Sequence, residues 1–105
     1  VARYHAYLAS LYTYQLALNK MQFMKYAKNI FANVDRAMEL DNQDPLVVSM
    51  KGNVEFYSPL GSKKKALEFF QKADKLYAEK GAEYEQWNHK AVEMNIEMCK
   101  EKLNK

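Results

Sequence analysis

Side chains able to bind a metal or act as nucleophiles are few in this chain, which has two histidines and one cysteine. His89 and Glu93 lie four residues apart, a spacing that places them on one face of a helix, where both can bind one metal ion. Two ligands are too few unless His5 or Cys99 converges on them. The sequence therefore predicts no metal centre and no cofactor.

Cys99 follows Met98 near the end of the chain, and no histidine or aspartate stands close to it in the sequence to activate the thiol. A small buried apolar side chain is the favoured interpretation, unless the fold brings an activating group to the thiol. The chain also lacks a glycine-rich phosphate loop, a serine nucleophile elbow and a paired-carboxylate motif. These observations predict a protein that is not an enzyme.

Lys63, Lys64 and Lys65 follow a predicted helix cap, Ser62, so they lie in a first turn where positive charge opposes the helix dipole. Two interpretations stay open, a solvated lysine run and a contact for an acidic partner or a phosphate. The net charge is +3, with 16 basic and 13 acidic side chains intermixed, which is short of the field of a typical nucleic-acid binder. Nucleic-acid binding through Lys63 to Lys65 is a remote alternative.

The elements that must position these residues are predicted to be helices. The chain has 105 residues, 3 glycines and 2 prolines, a composition that favours one all-α domain with a core large enough to fold without a cofactor. No run approaches the roughly 20 apolar residues of a membrane span.

The first part of the chain has neither glycine nor proline before Pro45. The spacing of its apolar residues therefore has to indicate where one helix ends and the next begins. One apolar seam ends at Leu18 and another begins at Phe23, a step of five that no continuous helical stripe accommodates. We therefore predict helices over about 2–18 and 21–40, with a turn near Asn19-Lys20. One long coiled-coil helix is the alternative.

Helix caps place the next two helices. Asp44 before Pro45 predicts a third helix over 45–57, and Ser62 predicts a fourth over 63–80, which Gly81 ends. A fifth helix begins between Glu83 and Trp87 and carries four apolar residues on one stripe: Trp87, Ala91, Met94 and Met98. Short connections predict that adjacent helices are antiparallel, giving five helices in antiparallel hairpins.

The third and fourth predicted helices carry the residues of a known repeat. Gly52 in the first of the pair, followed by Ala66-x3-Phe70 and Ala73 in the second, resembles a tetratricopeptide repeat (TPR). Leu8-Ala9-x2-Tyr12 resembles the first-helix half of an earlier copy. The repeats are degenerate, because other residues stand where the pattern has Trp, Leu and Tyr: His5, Val48, Lys51 and Glu55.

The strings MKGNVEFYSP and GSKKKALEFFQKADKLY are similar to those of small, often exported bacterial TPR-containing proteins. The resemblance implies a right-handed α-solenoid fragment and an extracytoplasmic interaction protein. The single domain then comprises a first repeat with a long second helix (1–44), a second repeat (45–80) and a C-terminal capping helix (82–105).

The resemblance also implies where a partner would bind. In TPR arrays the first helix of each pair lines the concave surface, which predicts a protein or peptide site formed by residues of two helices: Arg3, Ala6, Ser10, Thr13, Tyr14, Ser49, Asn53 and Phe56. The function expected is a non-catalytic protein-protein or peptide interaction module. The alternative is a structural or self-associating segment of a longer repeat protein, in which a second copy would cover these residues.

Overall fold

The computed structural model describes residues 2–8, 20–58 and 61–104, and this part of the chain contains helices and turns but no strand. The helices are α1 (residues 2–8), α2 (Lys20–Leu40), α3 (Pro45–Tyr57), α4 (Lys63–Lys80) and α5 (Gln86–Leu103). The prediction of an all-α chain is confirmed, and α3 and α4 have the predicted bounds. The predicted turn at Asn19 lies outside the described residues.

Side-chain caps define where α3 and α4 begin. The Asp44 carboxylate accepts a hydrogen bond from the Leu46 N–H at 3.0 Å, ahead of Pro45 at the first helical position. The Ser62 hydroxyl accepts one from the Lys65 N–H at 3.2 Å. Both caps pair backbone donors that a helix start otherwise leaves without a partner, as their sequence positions predict.

The central helix of the fold is α3, which contacts α2, α4 and α5. Eleven of its thirteen residues are buried. Gly52 faces the Phe70 ring of α4, while Phe56, further along α3, contacts Lys63 at the start of α4. Because the contacts run in opposite sequence order along the two helices, α3 and α4 are antiparallel.

The α4 and α5 helices are also antiparallel, since Tyr77 of α4 contacts Asn88 while the earlier Asp74 contacts the later His89. The core-facing residues of α5 are Asn88, Val92, Ile96 and Cys99. The stripe predicted from the sequence is a different one, displaced by one residue or about 100° around the helix, and it is largely exposed. The packed stripe includes a polar residue, Asn88, which an apolar pattern does not select.

The N-terminal helix packs across the start of α3. Ala6 of α1 is fully buried, and it shares a cluster with Ala37 of α2 and with Leu46, Val47 and Met50 of α3. The radius of gyration is 13.1 Å and the smallest extent is 19 Å. The first value is that of a compact domain, and the second equals about two helix diameters.

Candidate functional site

Three of the predicted partner-binding residues, Ser49, Asn53 and Phe56, are buried, with 1%, 7% and 6% of their surface exposed. The Ser49 hydroxyl donates to the Leu46 carbonyl at 2.7 Å and accepts from the Asn88 amide of α5 at 3.0 Å. Phe56 belongs to the main hydrophobic cluster. These three side chains therefore contact other residues of the same chain.

Asn53 lies on α3, and its side chain faces α5. Its amide nitrogen is 3.6 Å from the Met50 sulfur, and its carbonyl oxygen accepts from the Asn95 amide at 3.5 Å. The amide that could bind a peptide backbone is thus turned towards two side chains of the same domain. Ser10, Thr13 and Tyr14, the other predicted contacts from the first repeat, lie outside the described residues.

Arg3 forms a charged network with acidic residues from two other parts of the chain. Its Nε is 2.8 Å from Asp44 Oδ2, and its Nη1 is 2.8 Å from Glu85 Oε2. The hydrogen bond to Asp44 is the main cause that raises the pKa of Arg3, and Glu85 adds to it. Burial alone would raise the pKa of Asp44, but the hydrogen bonds from Arg3 and the Leu46 N–H outweigh it and lower that pKa.

Glu85 and Tyr77 extend this network to α4 and α5. Glu85 has a φ of 43°, in the left-handed region that side chains other than glycine rarely occupy. The Tyr77 hydroxyl donates to Glu85 Oε1 at 3.1 Å and accepts from Asn88 Nδ2 at 2.7 Å. Burial is the main cause that raises the pKa of Tyr77. No motif or spacing in the sequence identifies this set of residues.

Lys63, first in the lysine run, differs from its two neighbours. Its ammonium group donates to the Phe56 carbonyl and lies 4.0 Å from the centre of the Phe56 ring. Burial lowers the pKa of Lys63. A cation at the end of α3 pairs a terminal carbonyl and suits the dipole of that helix. Lys64 and Lys65 are exposed.

The α5 apolar stripe, which we define as Trp87, Ala91, Met94 and Met98, lies on the surface. Trp87, Met94 and Met98 have 62%, 67% and 37% of their surface exposed. Beside the stripe, Asn95 contacts Asn53 of α3. The stripe therefore runs along the edge of α5 that borders α3, over three helical turns, and it presents large apolar side chains to solvent.

The candidate metal ligands fall at three separate places. His5 Nδ1 is 2.9 Å from the Asn33 amide oxygen of α2. Cys99 is buried, and burial raises the pKa of its thiol, which disfavours the reactive thiolate.

His89 and Glu93 are joined instead by Asp74 of α4, and one ligand atom from each lies within 4.8 Å of the other two. Asp74 is on another helix, so helical spacing within α5 could not identify it.

In the part of the chain that the structure describes, no helix is both long and apolar enough to cross a membrane. Comparison of the chain with protein-family models, with curated protein sequences and with solved structures finds no match. The TPR resemblance therefore stays a prediction from the sequence.

Proposed function

We propose that this chain is a non-catalytic interaction module built of TPR-like helix pairs in a right-handed solenoid fragment, and that its α5 apolar stripe binds an amphipathic helix of a partner protein. The observation that carries the proposal is the exposure of Trp87 and Met94, 62% and 67%, on one face of a helix that is packed on its other side. Side chains of this size are buried in most folded proteins.

The spacing of the stripe fits a helical partner. Its residues lie at positions i, i+4, i+7 and i+11 of α5, a row about 16 Å long. A partner helix that lies along such a row inserts its own apolar residues at the same intervals. Ala91, between Trp87 and Met94, leaves room for the partner backbone to approach.

The chemistry of the stripe also suits an interface. Tryptophan and methionine are enriched at the centres of protein interfaces, and the methionine side chain adapts to partners of different shape. Exposed charged residues flank the stripe, with Lys90 and Glu97 on one side and Lys102 on the other. This arrangement is an apolar centre with a polar rim. Its exposed apolar area is on the order of 400 Å², within the range of about 300–600 Å² for the largest patch on a typical monomer, a patch that is often functional.

Two buried residues of the predicted concave site, Ser49 and Asn53, have an indirect role in this proposal. Ser49 and Asn53 bond to Asn88 and Asn95 of α5. They would therefore set the position of α5 relative to α3 and act on a partner through that position, without touching it.

The test uses Trp87, the chain's single tryptophan, as a fluorescent reporter of the stripe. Helical peptides would be selected for binding to the monomeric chain and measured against Met94→Glu and the control Leu40→Glu, which alters an apolar residue at the end of α2 that is 41% exposed. We expect the peptides to shift Trp87 emission to shorter wavelength, to bind Met94→Glu at least about tenfold more weakly, and to bind Leu40→Glu as they bind wild type.

Two results would contradict the proposal. Peptides that bind wild type and Met94→Glu equally would place the binding site elsewhere. A concentration-dependent dimer in light scattering, with Trp87 shielded and with a monomer restored by Met94→Glu, would show that a second copy of the chain occupies the stripe.

A further inference from the structure

We propose that Asp74, His89 and Glu93 form a binding site for one divalent transition-metal ion, with Zn²⁺ as the ion it fits best, across the α4 and α5 helices. Of the described residues, these three are the group of histidine, cysteine and carboxylate side chains whose ligand atoms converge. Spacing in the sequence identifies His89 and Glu93, and two ligands are too few for a metal site. Antiparallel packing of α4 on α5 supplies the third.

The distances between ligand atoms are close to those of a zinc site. His89 Nε2 lies 2.7 Å from Asp74 Oδ1 and 3.5 Å from Glu93 Oε1. All three ligand atoms lie within 4.8 Å of one another. Zn²⁺ binds nitrogen and oxygen at about 2.0–2.2 Å, so tetrahedral ligands are about 3.4 Å apart. Each separation changes by about 1.4 Å or less on binding, which rotation of the two carboxylates can provide.

The histidine ring is held in position before any ion binds. It stacks on the Tyr77 ring, with the centroids 5.1 Å apart and the planes at 22°. Tyr77 is in turn fixed by hydrogen bonds with Glu85 and Asn88. Neighbours that fix the orientation of a ligating histidine commonly strengthen metal binding, and here the Nε2 atom faces both carboxylates.

Donor type and charge favour zinc over the abundant hard cations. One imidazole nitrogen with two carboxylates is a donor set for zinc and related transition metals, whereas Mg²⁺ and Ca²⁺ select oxygen ligands alone. The two carboxylates balance a divalent charge. Asp74 and Glu93 also line an open depression of about 440 Å³ together with Ile96, Glu97 and Lys100. A water can reach the fourth coordination position from that side, as in sites with three protein ligands.

The site is separate from the partner-binding stripe. His89 and Glu93 lie on the face of α5 that is turned away from Met94 and Met98, by the 100° per residue of an α-helix. The bound ion would join α4 to α5 and so stabilise their packing, whether or not a partner helix occupies the stripe.

The experiment is a calorimetric titration of the chelator-treated full chain with Zn²⁺ alone. The site variants are Asp74→Asn, His89→Gln and Glu93→Gln. The controls are Glu68→Gln, which alters an exposed carboxylate earlier on α4, with His5→Gln and Cys99→Ser, which remove the other histidine and the cysteine of the sequence. We expect one Zn²⁺ per chain, affinity lowered at least about tenfold by each site variant and within about twofold of wild type for each control.

A thermal melt gives a second readout, since an ion that binds only the folded chain raises Tm. We expect Zn²⁺ at saturation to raise Tm by several degrees in wild type and in Glu68→Gln, but not in Glu93→Gln. Glu93 is 60% exposed at its side chain, so this variant tests the site without loss of the fold. Absence of saturable binding up to about 1 mM Zn²⁺, or unchanged affinity in Asp74→Asn and Glu93→Gln, would overturn the proposal.

Discussion

At the scale of single residues, the amide of Asn88 connects three helices. Its nitrogen donates to the Ser49 hydroxyl of α3 at 3.0 Å and to the Tyr77 hydroxyl of α4 at 2.7 Å. Both hydrogens of the amide are therefore used, and the polar group is buried without loss of hydrogen bonding. A buried polar group with both donors paired fixes the relative positions of its neighbours more specifically than apolar contact does.

We predict that Tyr77→Phe destabilises the chain by about 1–3 kcal/mol, because it leaves one buried Asn88 N–H without its acceptor and removes one of the donors to Glu85, which keeps Arg3. Urea unfolding followed by circular dichroism measures the change. Tyr84→Phe is the matched control, since that hydroxyl is near the surface and, among the described residues, accepts one long contact of 3.3 Å from Arg3. An equal loss of unfolding free energy in the two variants would show that the hydrogen bond between Asn88 and Tyr77 stabilises the chain no more than the surface contact of Tyr84 does.

At the scale of helices, the close approach of α3 and α4 depends on the absence of a side chain at Gly52. A methyl group at this position would lie 2.7 Å from the Phe70 ring, closer than carbon atoms pack. Phe70 is fully buried in the main hydrophobic cluster, so its ring cannot turn out into solvent to make room. The glycine is required here by packing, although glycine inside a helix costs about 1 kcal/mol relative to alanine.

We therefore predict that Gly52→Ala destabilises the chain by about 1–3 kcal/mol despite its better helix propensity, because overpacking outweighs that gain. The double variant Gly52→Ala, Phe70→Leu is the control. A smaller side chain at position 70 makes room for the methyl group, so the two changes together should cost less than the sum of the single changes. Additive losses in denaturant unfolding would argue against a steric origin.

Packing also explains two polar residues on α3. Lys51 pairs with Asp35 of α2 at 3.1 Å and with Glu55 at 3.4 Å, and its ammonium group lies 5.5 Å from the Phe31 ring centre. Glu55 accepts from the Ser62 N–H at 2.9 Å. These two residues stand where the TPR pattern has apolar or aromatic side chains. Their charges are compensated by each other and by neighbours on α2 and at the start of α4.

At the scale of the whole molecule, Arg3 connects parts of the chain that are far apart in sequence. The residue lies on α1, and its partners are Asp44 at the start of α3 and Glu85 before α5. This contact brings the N-terminal helix to the C-terminal one around the start of the central helix. The network is partly exposed. Because it pairs charges, its stabilising effect depends on the ionisation of the carboxylates as well as on packing.

Asp44→Asn provides the pH test of this contact. Asparagine still caps α3, so the change removes mainly the charge that pairs with Arg3. The pKa of Asp44 is lower in the folded chain than its ordinary value of 3.8, so its ionised form adds stability above about pH 4, and that stability is lost as the pH falls through the folded pKa. We predict that the variant is about 1–2 kcal/mol less stable near pH 7 and that the difference shrinks towards about pH 2.

Urea unfolding at a series of pH values measures this difference. Asp41→Asn is the control, because Asp41 is an exposed carboxylate of the same turn, and its side chain accepts a hydrogen bond from the Gln43 N–H. The stability of Asp41→Asn should change with pH in the same way as that of the wild type. If the gap between wild type and Asp44→Asn is the same at every pH, the charge of Asp44 is not what stabilises the contact.

The sequence by itself determined where α3 and α4 form, because the signals for these helices are local. Asp44, Pro45, Ser62 and Gly81 act on backbone groups within a few residues of themselves, so the bounds of α3 and α4 follow from the sequence alone. The TPR resemblance also selects Gly52 and Phe70, but their contact across the helix pair is seen only in the structure.

The tertiary structure decided which faces are buried and which residues meet. Two stripes one residue apart on α5 could each have packed on α4. The stripe that does so buries Val92, Ile96 and Cys99 in the core and pairs the Asn88 amide with Ser49 and Tyr77. The choice buries Ser49 and Asn53, exposes Trp87 and Met94, and brings Asp74 to His89. Contacts between helices depend on residues distant in sequence, so helical periodicity, which relates only neighbours three or four residues apart, does not contain them.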